Sequence, residues 1–79
     1  MTRPRRLEVV WEDSRLLGGS WGPVRDFLRQ RKTTRCRSVG YVLADDKRGI
    51  VLAASINAGN AAGVTVIPRR AVVSARRVK

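Results

Sequence analysis

The fold of this chain is decided by residues 38–56, which read SVGYVLADDKRGIVLAASI. Residues 38–44 and 50–56 are nearly continuous apolar runs, and a polar turn that ends in Gly49 lies between them. Glycine readily adopts the positive φ that such a turn requires, so the pattern predicts a β-hairpin. Because both runs are apolar without clear alternation, we expect both faces of this hairpin to be covered.

Three more strands are predicted on either side of this hairpin. Residues 7–12 alternate with a period of two, which predicts a first strand. Residues 57–63 are rich in Gly, Asn and Ala, and we expect a mobile loop there. A short strand over residues 64–67, a single turn over residues 68–71 and a last strand over residues 72–78 follow.

One helix is predicted between the first two strands. Pro23 suits the first helical position, and Gly22 or Ser20 would supply the cap. An apolar stripe at helical spacing is formed by Val24, Phe27 and Leu28. We expect the helix to end near residue 31 or 32, and at roughly ten residues it has to pack on a sheet to be stable.

The order of elements is therefore strand, helix, strand, strand, strand, strand, in a single domain over residues 7–79 that follows a flexible basic tail, residues 1–6. The predicted class is mainly β with one short helix (α+β). Five short strands in a chain of 79 residues favour a small barrel, since closure removes unpaired edges. With one cysteine and no histidine, we expect neither an internal disulfide nor a metal site, so one apolar core must provide the stability.

Charge is the strongest functional signal. Seventeen Lys and Arg face six Asp and Glu, which gives a net charge of +11 and a field that attracts polyanions. We therefore predict a non-enzymatic binding module for nucleic acid or another anionic ligand. The predicted polyanion-binding residues are Arg29, Arg31, Lys32, Arg35, Arg37, Arg69 and Arg70.

The chain has few aromatic side chains, and they divide between two roles. Trp21 and Tyr41 are candidates for stacking on bases or for an interface. Trp11 and Phe27 are expected inside, because large rings are the main packing units of a small core.

No catalytic residue or cofactor is predicted. Cys36 has no histidine anywhere in the chain to act as its base, so a Cys–His nucleophile is excluded. Asp45 and Asp46 are expected in a solvated turn. Asp13 and Ser14 fit either a turn that stops the first strand or a ligand contact.

The second half of the chain resembles the small β-barrel of the Sm-like class. Residues 39–43 resemble its bent second strand, in which a glycine permits curvature, and residues 50–53 resemble its third. Residues 66–72 resemble its strand, one-turn 3₁₀ helix and closing strand. The chain is also similar to short tailed-bacteriophage proteins that open with a tryptophan–acid–serine stretch, here Trp11-Glu12-Asp13-Ser14.

The sequence leaves an alternative function open, a phage-type interaction or inhibitor protein, because the same positive charge suits an acidic protein surface equally well. A protein-interaction or inhibitor protein would dock on a host protein, or form a homo-oligomer that sequesters a small anionic nucleotide. No signal peptide or membrane span is predicted. We therefore expect no membrane partner and a cytoplasmic location, which is the host cytoplasm if the chain is phage-encoded.

Overall fold

A computed structural model describes residues 5–78 of the chain. They form one antiparallel sheet of five strands and one short α-helix, in the order that the sequence predicts. The elements are β1 (Arg6–Asp13), α1 (Val24–Arg29), β2 (Thr34–Asp46), β3 (Gly49–Asn57), β4 (Asn60–Pro68), a 3₁₀ turn η1 (Arg69–Ala71) and β5 (Val72–Val78). Of the predicted basic tail, residues 1–4 lie outside the described residues and Arg6 is the first residue of β1.

The strands lie side by side in the order β4-β3-β2-β1-β5, so β4 and β5 are the two edges. No pairing joins these two edges within residues 5–78, and the sheet is therefore open; the closed form of the predicted barrel is not confirmed. β2 pairs with β1 over residues 34–41 and with β3 over residues 41–46. A register shift between Val42 and Ala44 provides the local bend that a bulge gives a strand.

The core lies on one face of the curved sheet. It consists of Leu7 and Val9 of β1, Ile50 and Leu52 of β3, and Ile67 of β4. The buried positions of β1, Leu7 and Val9, lie two residues apart, as expected when one face is covered. On β3, Gly49 and Ala53 are buried as well as Ile50 and Leu52. Trp11 is half-buried and packs against this cluster, so it lines the core without being enclosed as predicted.

The expectation that both faces of the hairpin are covered holds only at Leu52 and Ala53, two adjacent residues that are both buried. Elsewhere it is wrong, since Val39 and Leu43 of β2 and Ile56 of β3 are exposed. A strand of an antiparallel sheet can carry a continuous apolar run even though one of its faces meets solvent. Sequence periodicity alone does not distinguish this strand from one that is buried on both faces.

Two glycines permit close approaches between neighbouring strands. Gly49 has φ +153°, and a Cβ built there would lie 2.1 Å from the carbonyl oxygen of Ile67. At Gly40 of β2 a Cβ would lie 2.8 Å from the carbonyl oxygen of Ala53. The positive φ predicted for Gly49 is confirmed, and β4 pairs directly beside this residue, with Pro68 opposite Gly49.

The mobile loop predicted over residues 57–63 is wrong. A two-residue turn at Ala58 and Gly59, both with positive φ, joins β3 to β4, and pairing continues to Asn57 and Asn60. Glycine and asparagine mark only the turn itself. The alanines beside it belong to the ladder, and their small side chains give no strand signal.

The helix is shorter and less supported than predicted. α1 ends at Arg29, its N-cap is Pro23 without a side-chain cap, and none of its residues is fully buried. Its contact with the sheet is marginal, and Phe27 is half-buried outside the core cluster. β2 begins at Thr34, four residues before the apolar run that predicts it.

Truncation of a core isoleucine should destabilise the chain far more than the same change elsewhere on its strand. Ile50 is fully buried, whereas Ile56 on the same strand is 37% exposed. We expect Ile50→Ala to lower the free energy of unfolding by about 2–5 kcal/mol, because it leaves a cavity. Ile56→Ala should cost below about 1 kcal/mol. Urea unfolding of both variants checks this, and equal losses would contradict the described core.

Candidate polyanion-binding surface

Residues 14–33, which we call the connector, link β1 to β2 and carry α1. Its two ends are held together at the sheet. The Arg15 guanidinium donates a hydrogen bond to the Lys32 carbonyl at 3.2 Å. The Thr33 hydroxyl donates to the Glu12 carboxylate at 3.2 Å. The connector is thus anchored at its base, and the segment between extends away from the core.

The connector concentrates unneutralised positive charge. It contains five Lys and Arg residues and one acidic residue, Asp26. Within residues 5–78 none of these cations forms an ion pair with a carboxylate. Three predicted phosphate-binding residues, Arg29, Arg31 and Lys32, lie here and are exposed. Arg25 on α1 is an exposed member of the same group that the sequence prediction missed.

Trp21 is the most exposed large side chain of the connector. It is fully exposed and lines an open hollow of about 260 Å³. Gly22 follows Trp21, and a Cβ built there would lie 3.0 Å from the Phe27 ring. Phe27 also lines the hollow, while the fully exposed Trp21 indole stays accessible to a ligand.

Arg35 and Arg37, in contrast, lie in a row of ion pairs on the outer face of the sheet. Arg35 on β2 faces Glu12 on β1 in the strand register, and its guanidinium lies 3.1 Å from that carboxylate. Glu8 accepts from Arg76 at 3.1 Å and lies 3.9 Å from Arg37. The hydrogen bond from Arg76, opposed by desolvation, lowers the pKa of Glu8. We call these five residues the arginine–glutamate ladder.

Arg69 of η1 forms hydrogen bonds that tie η1 to the end of β2, next to the β2–β3 turn. Its guanidinium donates to the Asp45 carboxylate at 2.5 Å and to the Asp46 carbonyl at 2.6 Å. Arg5 donates to the other oxygen of Asp45 at 3.1 Å. The Arg69 hydrogen bond is the main cause that lowers the pKa of Asp45, with burial opposing it. Arg70, its neighbour, is exposed and makes no ion pair within the described residues.

The predicted set therefore divides by local chemistry. Three members form ion pairs with carboxylates of their own chain, namely Arg35, Arg37 and Arg69. The other four form no ion pair within the described residues: Arg29, Arg31, Lys32 and Arg70. Sequence alone gives the number of cations, but which of them a carboxylate neutralises depends on strand register.

The remaining candidates have local structural partners. The Asp13 carboxylate accepts from the Ser14 backbone N–H at 2.8 Å, where β1 ends. Tyr41 is half-buried on β2 opposite Ala53. Cys36 is a half-buried free thiol. Within residues 5–78 no three His, Cys, Asp or Glu side chains cluster closely enough to hold a metal ion.

The chain matches no protein-family model, no curated protein and no solved structure. Among residues 5–78, no helix has the length and apolar character needed to cross a membrane.

The Asp45–Arg69 pair should make stability depend on acid pH. A carboxyl whose pKa is lowered on folding stabilises the fold fully above its unfolded pKa, about 4, and loses that contribution as pH falls through the lower folded value. We therefore expect Asp45→Asn to be clearly less stable than wild type at about pH 7. The difference should shrink by more than half at about pH 2.5.

Urea unfolding at both pH values measures this difference. Asp26→Asn is the matched control, since Asp26 makes no ion pair within residues 5–78. A difference between wild type and Asp45→Asn that is the same at both pH values would contradict the role assigned to the pair.

Proposed function

We propose that this chain is a non-enzymatic module that holds a polyanion, nucleic acid above all, on its connector. The observation that carries the proposal is the charge of that segment: five cations against one carboxylate, beside the fully exposed Trp21. Their positive fields add over a short span, and no carboxylate of the described chain pairs with them.

Nucleic acid fits these groups better than a plain acidic surface does. Arginine presents a planar fork of donors that matches a phosphate bidentately. An exposed indole stacks on any base, because every base offers a π-face. The connector offers both kinds of contact along one segment, while it presents no side-chain array suited to reading base edges. We therefore infer binding with little sequence preference.

The paired arginines contribute less to this proposal. Arg35, Arg37 and Arg69 would have to exchange a carboxylate of their own chain for a phosphate, which removes much of the gain. Arg70 makes no ion pair within the described residues and adds a separate cation on η1. The proposed contact set is therefore Arg25, Arg29, Arg31, Lys32 and Arg70, with Trp21 as the stacking residue.

Salt dependence tests the electrostatic part. Each phosphate contact on a single strand contributes about 0.7 to the slope of log affinity against log salt. The double variant R31Q/K32Q should bind an oligonucleotide more weakly and reduce that slope by about 1.4. The matched control R35Q/R37Q removes two cations from the ladder and should change the slope far less. Gel shifts or fluorescence anisotropy over rising salt measure both.

Binding that is absent at low salt, or indifferent to salt, would exclude the electrostatic proposal. Equal losses in the two double variants would show that the connector holds no special position among the cationic residues.

Stacking on Trp21 makes a separate prediction. Trp21→Ala should weaken single-strand binding by about 1–3 kcal/mol, the value of one base stacked on an aromatic ring. Trp21→Phe should retain part of the affinity. Fluorescence quenching by the oligonucleotide should vanish in Trp21→Phe, because Trp11 is half-buried and donates its indole N–H to Ser38. Quenching that persists in that variant would contradict Trp21 as the stacking residue.

A second function is favoured by the apolar side of the same connector. Leu16, Trp21, Val24 and Leu28 are all exposed, which is typical of a protein-interaction surface. A phage-type interaction or inhibitor protein would bury them on a host protein, with the cations matching an acidic rim. Affinity for nucleic acid would then be weak, and Leu16→Ser would reduce partner binding without changing the salt slope.

We also propose a closed fold and a location for this chain. A small barrel of the Sm-like class is supported by the bend of β2 and by the single 3₁₀ turn between β4 and β5. A cytoplasmic location, or the host cytoplasm for a phage-encoded chain, suits a free cysteine and a nucleic-acid partner.

A further inference from the structure

β4 is an unprotected sheet edge. It spans Asn60–Pro68 and pairs with β3 on one side only within the described residues. Natural proteins usually shield such an edge with charges, with proline, or with a covering segment. β4 has no charged residue, and its only proline is its last residue. Its outer row of backbone donors and acceptors is therefore a template for another strand.

The middle of this edge is apolar on its solvent side. Val64 is 49% exposed and Val66 is 68% exposed. They lie two residues apart, so their side chains share one face of the sheet, while Ile67 points into the core. A strand added to β4 would pair with the edge backbone and place its own side chains beside these two valines.

Charge decides which partner suits this edge. The chain carries +11, yet no charged residue lies between Gly49 and Pro68, so the whole β3–β4 hairpin is neutral. The opposite edge, β5, contains Arg76 and Arg77, and two copies that met there would repel each other. Two copies that meet through their β4 edges therefore repel each other less than two copies that meet through β5.

We propose that β4 pairs antiparallel with β4 of a second copy, about a two-fold axis at Thr65. A two-fold contact is self-complementary. With the axis at Thr65, Val64 of each copy faces Val66 of the other on the exposed side of the joined sheet, and such β-branched cross-strand pairs are favourable. The contact joins the two five-stranded sheets into one and leaves both connectors outside it.

Salt separates this association from the proposed nucleic-acid binding. Screening weakens the repulsion between two strongly positive copies, so the dimer should tighten as salt rises. Nucleic-acid binding should weaken under the same change. Either proposal can therefore fail while the other survives.

Two matched substitutions test which edge of the sheet forms the contact between the two copies. Val64→Lys places a charge on β4, and Val73→Lys does the same on β5, where the valine is 47% exposed. Both side chains already meet solvent, so both variants should fold, which circular dichroism confirms. In sedimentation equilibrium at about 0.5 M salt, where the Debye length is only about 4 Å, wild type and Val73→Lys should be dimers. The dissociation constant of Val64→Lys should be at least ten times higher than that of wild type.

Three results would overturn the proposal. A wild-type chain that stays monomeric at millimolar concentration has no such contact. A dimer that survives Val64→Lys unchanged is formed elsewhere. Dissociation by both variants would mean that β4 pairs with β5 of the next copy, in a head-to-tail assembly without the two-fold axis.

A cross-link locates the axis itself. In a C36S background the chain has no other thiol, and T65C would place two thiols opposite each other across the two-fold contact, within the reach of a disulfide. Mild oxidation should convert most of this variant to a covalent dimer. The control S74C, on β5, should stay monomeric; cross-linking in S74C but not in T65C would reject the axis at Thr65.

Discussion

The pairing of β2 with two different neighbours is the interaction on which the rest of this structure depends. Its first part binds β1, its last part binds β3, and the shift between Val42 and Ala44 turns the sheet between the two. That turn brings Ile50 and Ile67 over Leu7 and Val9. Without it, β1 and the β3–β4 hairpin would each present an apolar face to water, and a chain of 79 residues has no second core to compensate.

Three carboxylates of the sheet, those of Glu8, Glu12 and Asp45, form ion pairs with arginines. Glu8 and Glu12 lie among the arginines of β2 and β5, and Asp45 receives Arg69 and Arg5. Like charges directly opposite each other on neighbouring strands destabilise a sheet, so these acids relieve the repulsion within the folded body. Of the described cations that these acids do not pair, five lie on the connector. The others lie on the strands and turns, at Arg6, Lys47, Arg48, Arg70 and Arg77.

Much of the fold was predictable from the sequence, and the failures have specific physical causes. The period of two located β1, and the glycine at the turn located the β2–β3 hairpin, because local backbone geometry decides both. The sequence analysis predicted a loop where the β3–β4 hairpin has its tip. Alanine has little preference for strands, and the strand conformation there is stabilised by cross-strand pairing. The exposure of Val39 and Val66 was also not predicted, because the hydrophobic periodicity of a sequence does not show which face of a sheet is covered. For the candidate surface, the cations could be counted, but the pairing of Arg35, Arg37 and Arg69 followed only from register.

The connector meets the sheet through a few polar contacts at its base and adds nothing to the buried cluster. Folding free energy and surface chemistry are therefore encoded by separate parts of the same short chain. Most substitutions become harmful by pushing a protein below the stability that it needs. Residues such as Arg25 and Trp21 are largely exempt from that penalty, so the connector can diverge rapidly between related proteins while the five strands around it keep their sequence pattern.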